Sequence, residues 1–317
     1  MRVGLIDVDG HHFPNLALMR ISAYHKARGD DVDWWWSDFI HCDIVYMSKV
    51  FSFTKDVEEP LNADKVIKGG TGYAIHLVEG REVYDKTKDP NLPEEVEKMF
   101  PDYSIYPQFN FAVALTSRGC PRSCAFCHVS KKEGRCSVKV ADVNQFWNGQ
   151  KHIEVLDPNI TACRDKRDLF RQYMETNATI TFNQGLDIRL VNGDDIEDIN
   201  KMRVKDLHFA WDNPNDDLEQ MFREFAKGFR RKSNIGMVYV LTNFEGCTTT
   251  EHIDRALHRI YVLRDMGYDP YCMVYNKPNA PREIRELQRW CNNKVIFKSC
   301  RNFKDYKPRR ANERVYS

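Results

Sequence analysis

Long apolar runs are missing from this chain of 317 residues: no stretch of 18 apolar residues occurs, which excludes a membrane-spanning helix. A leader peptide is not expected either, because Met1-Arg2-Val3 passes directly into an apolar strand followed by Asp7 and Asp9. No internal repeat is visible. Neither sign of charge prevails, with 47 Lys and Arg against 46 Asp and Glu, but the near-balance hides a polarity. Residues 1–109 carry 12 basic against 19 acidic side chains, and residues 276–317 carry 12 against 4. The basic tail (Lys304, Lys307, Arg309, Arg310, Arg314) lacks the interleaved aromatics of a base-stacking platform. A solvated terminus, or an anchor on the acidic front, is the simpler reading, and nucleic acid is not an expected partner. Ten cysteines are too few and too scattered for a disulfide scaffold at this length, and loose thiols suit a reducing cytoplasm.

Three cysteines are not scattered. Gly119-Cys120-Pro121-Arg122-Ser123-Cys124-Ala125-Phe126-Cys127 spaces them as C-x3-C-x2-C, tight enough for one loop to wrap a metal cluster. Three thiolates can hold three irons of a cubane [4Fe–4S] cluster and leave the fourth open for chemistry, whereas four-cysteine ligation usually serves electron storage. A structural zinc site is the first competing reading. It needs a fourth ligand at matching spacing, and His128 follows Cys127 too directly to turn onto the same ion with ease. Three unrelated thiols is the second.

Residues 1–80 read as a small Rossmann-like α/β domain. Residues 3–8 form an apolar strand, and 16–28 have helical spacing through Leu18, Ile21 and Tyr24, closed by Gly29. Strands follow at 32–36 and 43–51, the second apolar enough for the interior of a parallel sheet. Residues 63–67 are expected to open a helix, and Gly69-Gly70-Thr71-Gly72 to make a turn where backbone approaches a ligand closely. Residues 81–108, charged and holding Pro90, Pro93, Pro101 and Pro107, read as a linker. From 109 to 290 the chain alternates between strand and helix. Strands are expected at 109–115, 153–156, 179–182, 207–211, 235–241 and 271–275, with helices at 143–149, 167–175, 194–202, 218–228 and 253–266. Six such units fall short of an eightfold ring. The expected fold class is therefore α/β, a partial (β/α)6 TIM-like barrel after the small front domain, with a basic extension at 291–317. Polar residues at the carboxyl ends of the barrel strands are the site candidates.

On Cys120, Cys124 and Cys127, with aromatic Phe126 before the last, residues 109–290 resemble the radical S-adenosylmethionine (SAM) superfamily. The resemblance implies a [4Fe–4S] cluster and SAM as cofactors. The amino and carboxylate groups of SAM would sit on the open iron, and one electron would cleave the sulfonium to a 5′-deoxyadenosyl radical that removes hydrogen from substrate. The protein would bind and orient, while the cofactors carry the chemistry. It also implies a flavodoxin- or ferredoxin-type electron donor, with Arg118, Arg122, Lys131 and Lys132 offsetting the cluster charge or meeting that donor. Asp157 and Asn159, closing the second strand, are candidates for the SAM amino group, although the family's Gly-Gly-Glu triplet is missing. Gln184 would face SAM or substrate and Arg189 the SAM carboxylate, with a plain Asp187–Arg189 loop pair as the competing reading. Trp211 is either core or a partner of adenine, and Asn243 would hold the adenosine. Asp212, Glu245 and Tyr275 are the catalytic candidates, and Asn276 borders the substrate.

The front domain resembles the cobalamin-binding domains that precede many such catalytic domains, but its motif departs from theirs. Their Asp-x-His-x-x-Gly becomes Asp9-Gly10-His11-His12-Phe13-Pro14, with proline in the glycine's place, where it also begins a helix well. Two readings stay open: cobalamin binding, or a degenerate domain whose His11, His12, Phe13 and Asn15 line a substrate pocket. Methylthiolation is not expected, because it draws three further cysteines from the front domain and only Cys42 is there. Carboxylates at Asp157, Asp212 and Glu245 favour a small polar substrate carrying an amine or a ring N–H. Within the superfamily, the stunted front domain and overall size look most like the queuine lyases. That implies a lyase cleaving a C–N bond of queuine, a 7-deazapurine, to release 7-aminomethyl-7-deazaguanine. Other SAM-dependent oxidation, rearrangement or methylation, RNA modification included, is the alternative. A non-catalytic iron–sulfur or zinc protein that binds nucleic acid is another.

Overall fold

Val3, Leu5 and Ile6, the apolar residues that open the chain, lie on the central strand of a four-stranded parallel sheet. The structure, a computed structural model, describes residues 1–79, 81–230, 235–244 and 246–308. By internal packing it divides into two units, with the boundary between Thr181 and Phe182.

In the first unit, strands β1 (Arg2–Asp7), β2 (Asp31–Trp34), β3 (Cys42–Ser48) and β4 (Ala63–Gly69) are ordered β2-β1-β3-β4. Helix α1 (Leu16–Ala27) follows β1, and the Asn15 side chain caps it by accepting from Leu18 N at 3.2 Å. Residues 63–67, expected to open a helix, are strand instead. They pair with β3 from Cys42↔Ala63 to Ser48↔Gly69, a ladder that β-branched Val66 and Ile67 suit. The helix comes later and is one turn long, α2 (Thr71–Ala74). A hairpin of β5 (Ile75–Val78) and β6 (Arg81–Tyr84) follows, then α3 (Glu94–Glu97). Within residues 81–108, Val96, Ile105 and Tyr106 are buried in one core with Val3, Leu5, Leu18 and Met19. Tyr106 donates to the buried Asp7 carboxylate at 2.7 Å.

The second sheet begins with β7 (Ala112–Ala114). Two short strands, β8 (Ser117–Arg118) and β9 (Val138–Lys139), pair antiparallel across the cysteine loop, which also holds α4 (Val129–Lys132). The helix expected at 143–149 is a single 3-10 turn at Val143–Gln145, because Trp147 Nε1 donates to Gln150 O at 2.7 Å and turns the chain toward the next strand. Strand β10 (His152–Val155) and helix α5 (Lys166–Glu175) come next. They are followed by β11 (Thr179–Leu186), α6 (Gly193–Lys201), β12 (Arg203–Ala210), α7 (Glu219–Gly228), β13 (Met237–Thr242), α8 (Thr249–Asp265), β14 (Asp269–Val274), α9 (Arg282–Asn292) and α10 (Lys294–Ser299). The sheet order, β14-β13-β12-β11-β10-β7, is that of six strands laid down one after another. The pairs β7–β10, β12–β13 and β13–β14 are parallel. This is an α/β architecture whose six-stranded sheet resembles a partial barrel. Among the described residues, no helix is long and apolar enough to cross a membrane.

Candidate functional site

The cysteine loop is fixed at its root by a buried carboxylate. Asp157, just beyond β10, is 3% exposed and accepts from Thr116 N, Thr116 Oγ1 and Ser117 Oγ, each at 2.7 Å. These bonds tie the exit of β10 to the turn between β7 and the loop. Burial pushes the Asp157 carboxyl up to about 6 against the pull of those donors. Gly119 then adopts φ +88°, and a Cβ there would lie 2.1 Å from Cys136 O, so only glycine lets the loop begin this close to its own return.

Cys120, Cys124 and Cys127 are all half-buried, and Cys127 N donates to Cys124 O at 3.0 Å. Asn159, 4% exposed, donates from Nδ2 to Cys120 Sγ at 3.4 Å. Around the loop, Arg118 pairs with Glu97 at 3.2 Å. Lys132 reaches Thr71 Oγ1 at 2.6 Å and Asp89 at 3.1 Å. The His128 ring stacks on Tyr84 and meets Glu82 Oε2 at 3.3 Å, so this imidazole is turned to the β5–β6 hairpin. Three thiols on one braced loop, one of them already met by a buried amide donor, are the donor set that could hold a metal cluster here. Phe126 is half-buried in the same loop.

In the second unit the expected site residues gather at the carboxyl ends of β11 to β14. Gln184 is exposed near the end of β11. Arg189 pairs with Asp187 at 2.7 Å and with Asp216 at 2.9 Å. Trp211 is 3% exposed, stacks on Phe222 and donates to Asp216 O at 2.9 Å, which places it in the core. Asp212 beside it is half-buried, and burial pushes its carboxyl up to about 6 against the opposing Arg259 charge. Asn243 and Asn276 both take left-handed φ, +63° and +46°. Asn243 Nδ2 donates to Tyr275 O at 2.8 Å, joining the ends of β13 and β14, and the Tyr275 ring meets Phe244 edge-on at 4.9 Å. Glu245 lies outside the described residues, as do Arg309, Arg310 and Arg314 of the basic tail.

Two arrangements escaped sequence reasoning. Arg259 on α8 is 2% exposed and donates to Trp211 O at 2.6 Å, Asp212 O at 2.9 Å and Leu241 O at 3.0 Å, strapping β12 to β13. Its signal was spacing: it shares the apolar face of Ala256, Ile260 and Leu263. In the first unit His152 lies 2.6 Å from Glu154 Oε1 and 2.8 Å from Thr179 Oγ1. There the signal was a polar pair alternating with Ile153 and Val155 along β10.

No protein-family model matches the chain, and no curated protein matches it. Solved structures do. Two structures of the radical S-adenosylmethionine methyltransferase TsrM from Kitasatospora setae align over 86% of this chain at 10% identity. One, with cobalamin and a [4Fe-4S] cluster bound, is covered over 74% of its length at a TM-score of 0.60. The other, with tryptophan substrate and the SAM analogue aza-SAM, is covered over 72% at 0.59. The likeness is one of fold. It corrects one expectation: these two structures are of a methyltransferase, which goes against the lyase reading.

A histidine-ligated cobalamin does not fit the front residues. The His11 ring is packed edge-on against Trp34 at 4.1 Å and near Tyr106 at 5.7 Å. His12 and Phe13 are exposed on the turn, and Asn15 is occupied as the α1 cap and as a donor to Ser48 Oγ at 2.8 Å. The glycine turn meets its own chain, since a Cβ on Gly70 would lie 2.4 Å from Lys49 O. Asp9 holds that covering segment by accepting from Val50 N at 2.5 Å and Thr54 Oγ1 at 2.6 Å. A cavity of about 490 Å³ in this unit is lined by residues that include Leu18, Ile21, Met47, Gly70, Arg118 and Lys132.

Proposed function

We propose that this chain is a radical SAM enzyme that transfers the methyl group of SAM to a small polar substrate. The observation that carries the reading is the braced three-cysteine loop at the end of β7, and the fold shared with a radical SAM methyltransferase supports it. In this reading Cys120, Cys124 and Cys127 would hold a [4Fe–4S] cluster, which when bound would supply an open iron for SAM; the methyl transfer itself balances without a net electron, because SAM leaves as S-adenosylhomocysteine and the substrate loses a proton. Asp157 holds the loop in register with the strand ends. Lys132 and Arg118, already committed to carboxylates, stiffen the loop and do not serve as free counter-charges. Gln184 and the Asp187–Arg189–Asp216 cluster form a polar patch for the carboxylate and amine of an amino-acid-like group. Asp212 is suited to accept the proton that a methylated carbon or nitrogen gives up, because its carboxyl changes charge near pH 6. Tyr275 and Asn276 are further candidates for substrate contact, and a flavodoxin- or ferredoxin-type protein is the proposed electron donor.

Anaerobic reconstitution with ferrous iron and sulfide tests the reading. The wild type is expected to take up about four irons per chain and to consume SAM under a low-potential reductant. S-adenosylhomocysteine among the products marks methyl transfer, whereas 5′-deoxyadenosine with methionine alone marks reductive cleavage. Cys124→Ala is expected to lose iron and SAM consumption together. Zinc in place of iron, with SAM untouched, would overturn the proposal.

A further inference from the structure

We propose that Asn159 is a positioning residue that sets the reduction potential of the cluster through its bond to Cys120; this rests on the cluster reading above. The two ends of the Asn159 side chain have separate duties. Its Oδ1 accepts from Ala162 N at 3.2 Å and from Thr161 Oγ1 at 2.9 Å. The Ala162 N–H can only donate, so a flipped amide would set two donors against each other, and the NH2 group must be the end that faces Cys120 Sγ at 3.4 Å. The backbone is held as well, because Ser137 Oγ donates to Asn159 O at 2.9 Å. Three bonds therefore aim a donor at one sulfur, and none of them uses that donor.

An N–H bond to a ligating sulfur stabilises whichever state carries more negative charge on sulfur, here the reduced cluster. Burial of Asn159 keeps water from supplying the same bond when the amide is removed. Hydrogen bonds to charged groups are stronger than those between neutral groups, and only part of that strength differs between two oxidation states. A roughly tenfold change in the reduced-to-oxidised ratio follows, which is about 59 mV for one electron.

The experiment is a dithionite- or titanium-poised redox titration of reconstituted protein, read by the electron paramagnetic resonance of the reduced cluster with iron counted on the same samples. Asn159→Ser keeps a hydroxyl to cap Ala162 but cannot reach the sulfur, so its midpoint is expected to fall. Asn159→Asp keeps the cap and exchanges the donor for a charged oxygen, so its midpoint falls further. Thr161→Val removes one of the three aiming bonds but keeps the donor itself, so its midpoint falls by less than that of Asn159→Ser. Equal midpoints in all four proteins at equal iron content overturn the inference, as does a shift of the same size in Thr161→Val. A wild type that takes up no iron overturns the cluster reading itself, a distinct result.

Discussion

Asp157 shows how one residue makes a loop dependent on pH. Its carboxyl is the shared acceptor for Thr116 and Ser117 at the root of the cysteine loop, yet burial holds it near 6, above its value of about 3.9 in an unfolded chain. The folded state thus binds the proton more tightly. Its contribution to stability is complete below pH 4 and is lost as pH rises through 6. An asparagine at this position would present one acceptor and no charge, and the two hydroxyls can turn to accept from its amide. Asp157→Asn is therefore expected to gain about 2 kcal/mol on wild type between pH 4.5 and 7.5, as measured by urea unfolding at the two values. A constant difference between the proteins across that range would show that the carboxyl is not strained by burial. Little of this was legible in the sequence. Leu156-Asp157-Pro158-Asn159 marked a strand end with two polar candidates, but not that one points back to pin the loop and the other toward a thiol.

At the scale of elements, the strands of the second sheet were the most legible part. Patterns such as Ile153–Val155 or Val238–Val240, apolar on alternate residues, come from one face being buried. Strand β4 was hidden because it is an edge strand, with Lys65 exposed and only β3 for a neighbour, so its apolar pattern is weak. The strap at Arg259 was hidden for another reason: arginine ordinarily reads as solvent-facing, and three backbone carbonyls, two just beyond β12 and one on β13, are what let it stay buried. Burial pulls its guanidinium down to about 10, still charged at neutral pH. Arg259→Met fills much of the volume but leaves the carbonyls of Trp211, Asp212 and Leu241 without that donor. A loss of about 2–4 kcal/mol is expected, seen as a lower denaturation midpoint. Arg259→Lys recovers only part, since one ammonium cannot span three carbonyls with the geometry of a planar fork. Full recovery by lysine would mean that charge alone, and not the three-way bond, joins these strands.

Across the whole chain, the cysteines fall into classes that composition alone could not separate. Spacing marked Cys120, Cys124 and Cys127, and the remaining seven looked alike as scattered thiols. The structure divides them by burial. Cys42, Cys163, Cys272 and Cys291 are buried, and Cys136 is exposed. Burial pushes the thiols of Cys42 and Cys163 up, those of Cys272 and Cys291 furthest, the last to about 12. Since the thiolate is the reacting form, roughly one Cys291 in ten thousand is reactive at pH 8 even before access is considered. A chromogenic disulfide reagent is therefore expected to label Cys136 within seconds to minutes in the native protein. The four buried thiols should react only after denaturant is added, at rates that follow unfolding. Adding a reductant should leave the melting temperature unchanged, because no disulfide joins any of these five. Peptide mapping of the labelled sites separates the classes. Native labelling of Cys272 or Cys291 as fast as Cys136 would mean that the layer between β14 and α9, where Cys291 Sγ lies 3.4 Å from Pro270 O, opens far more readily than its packing allows.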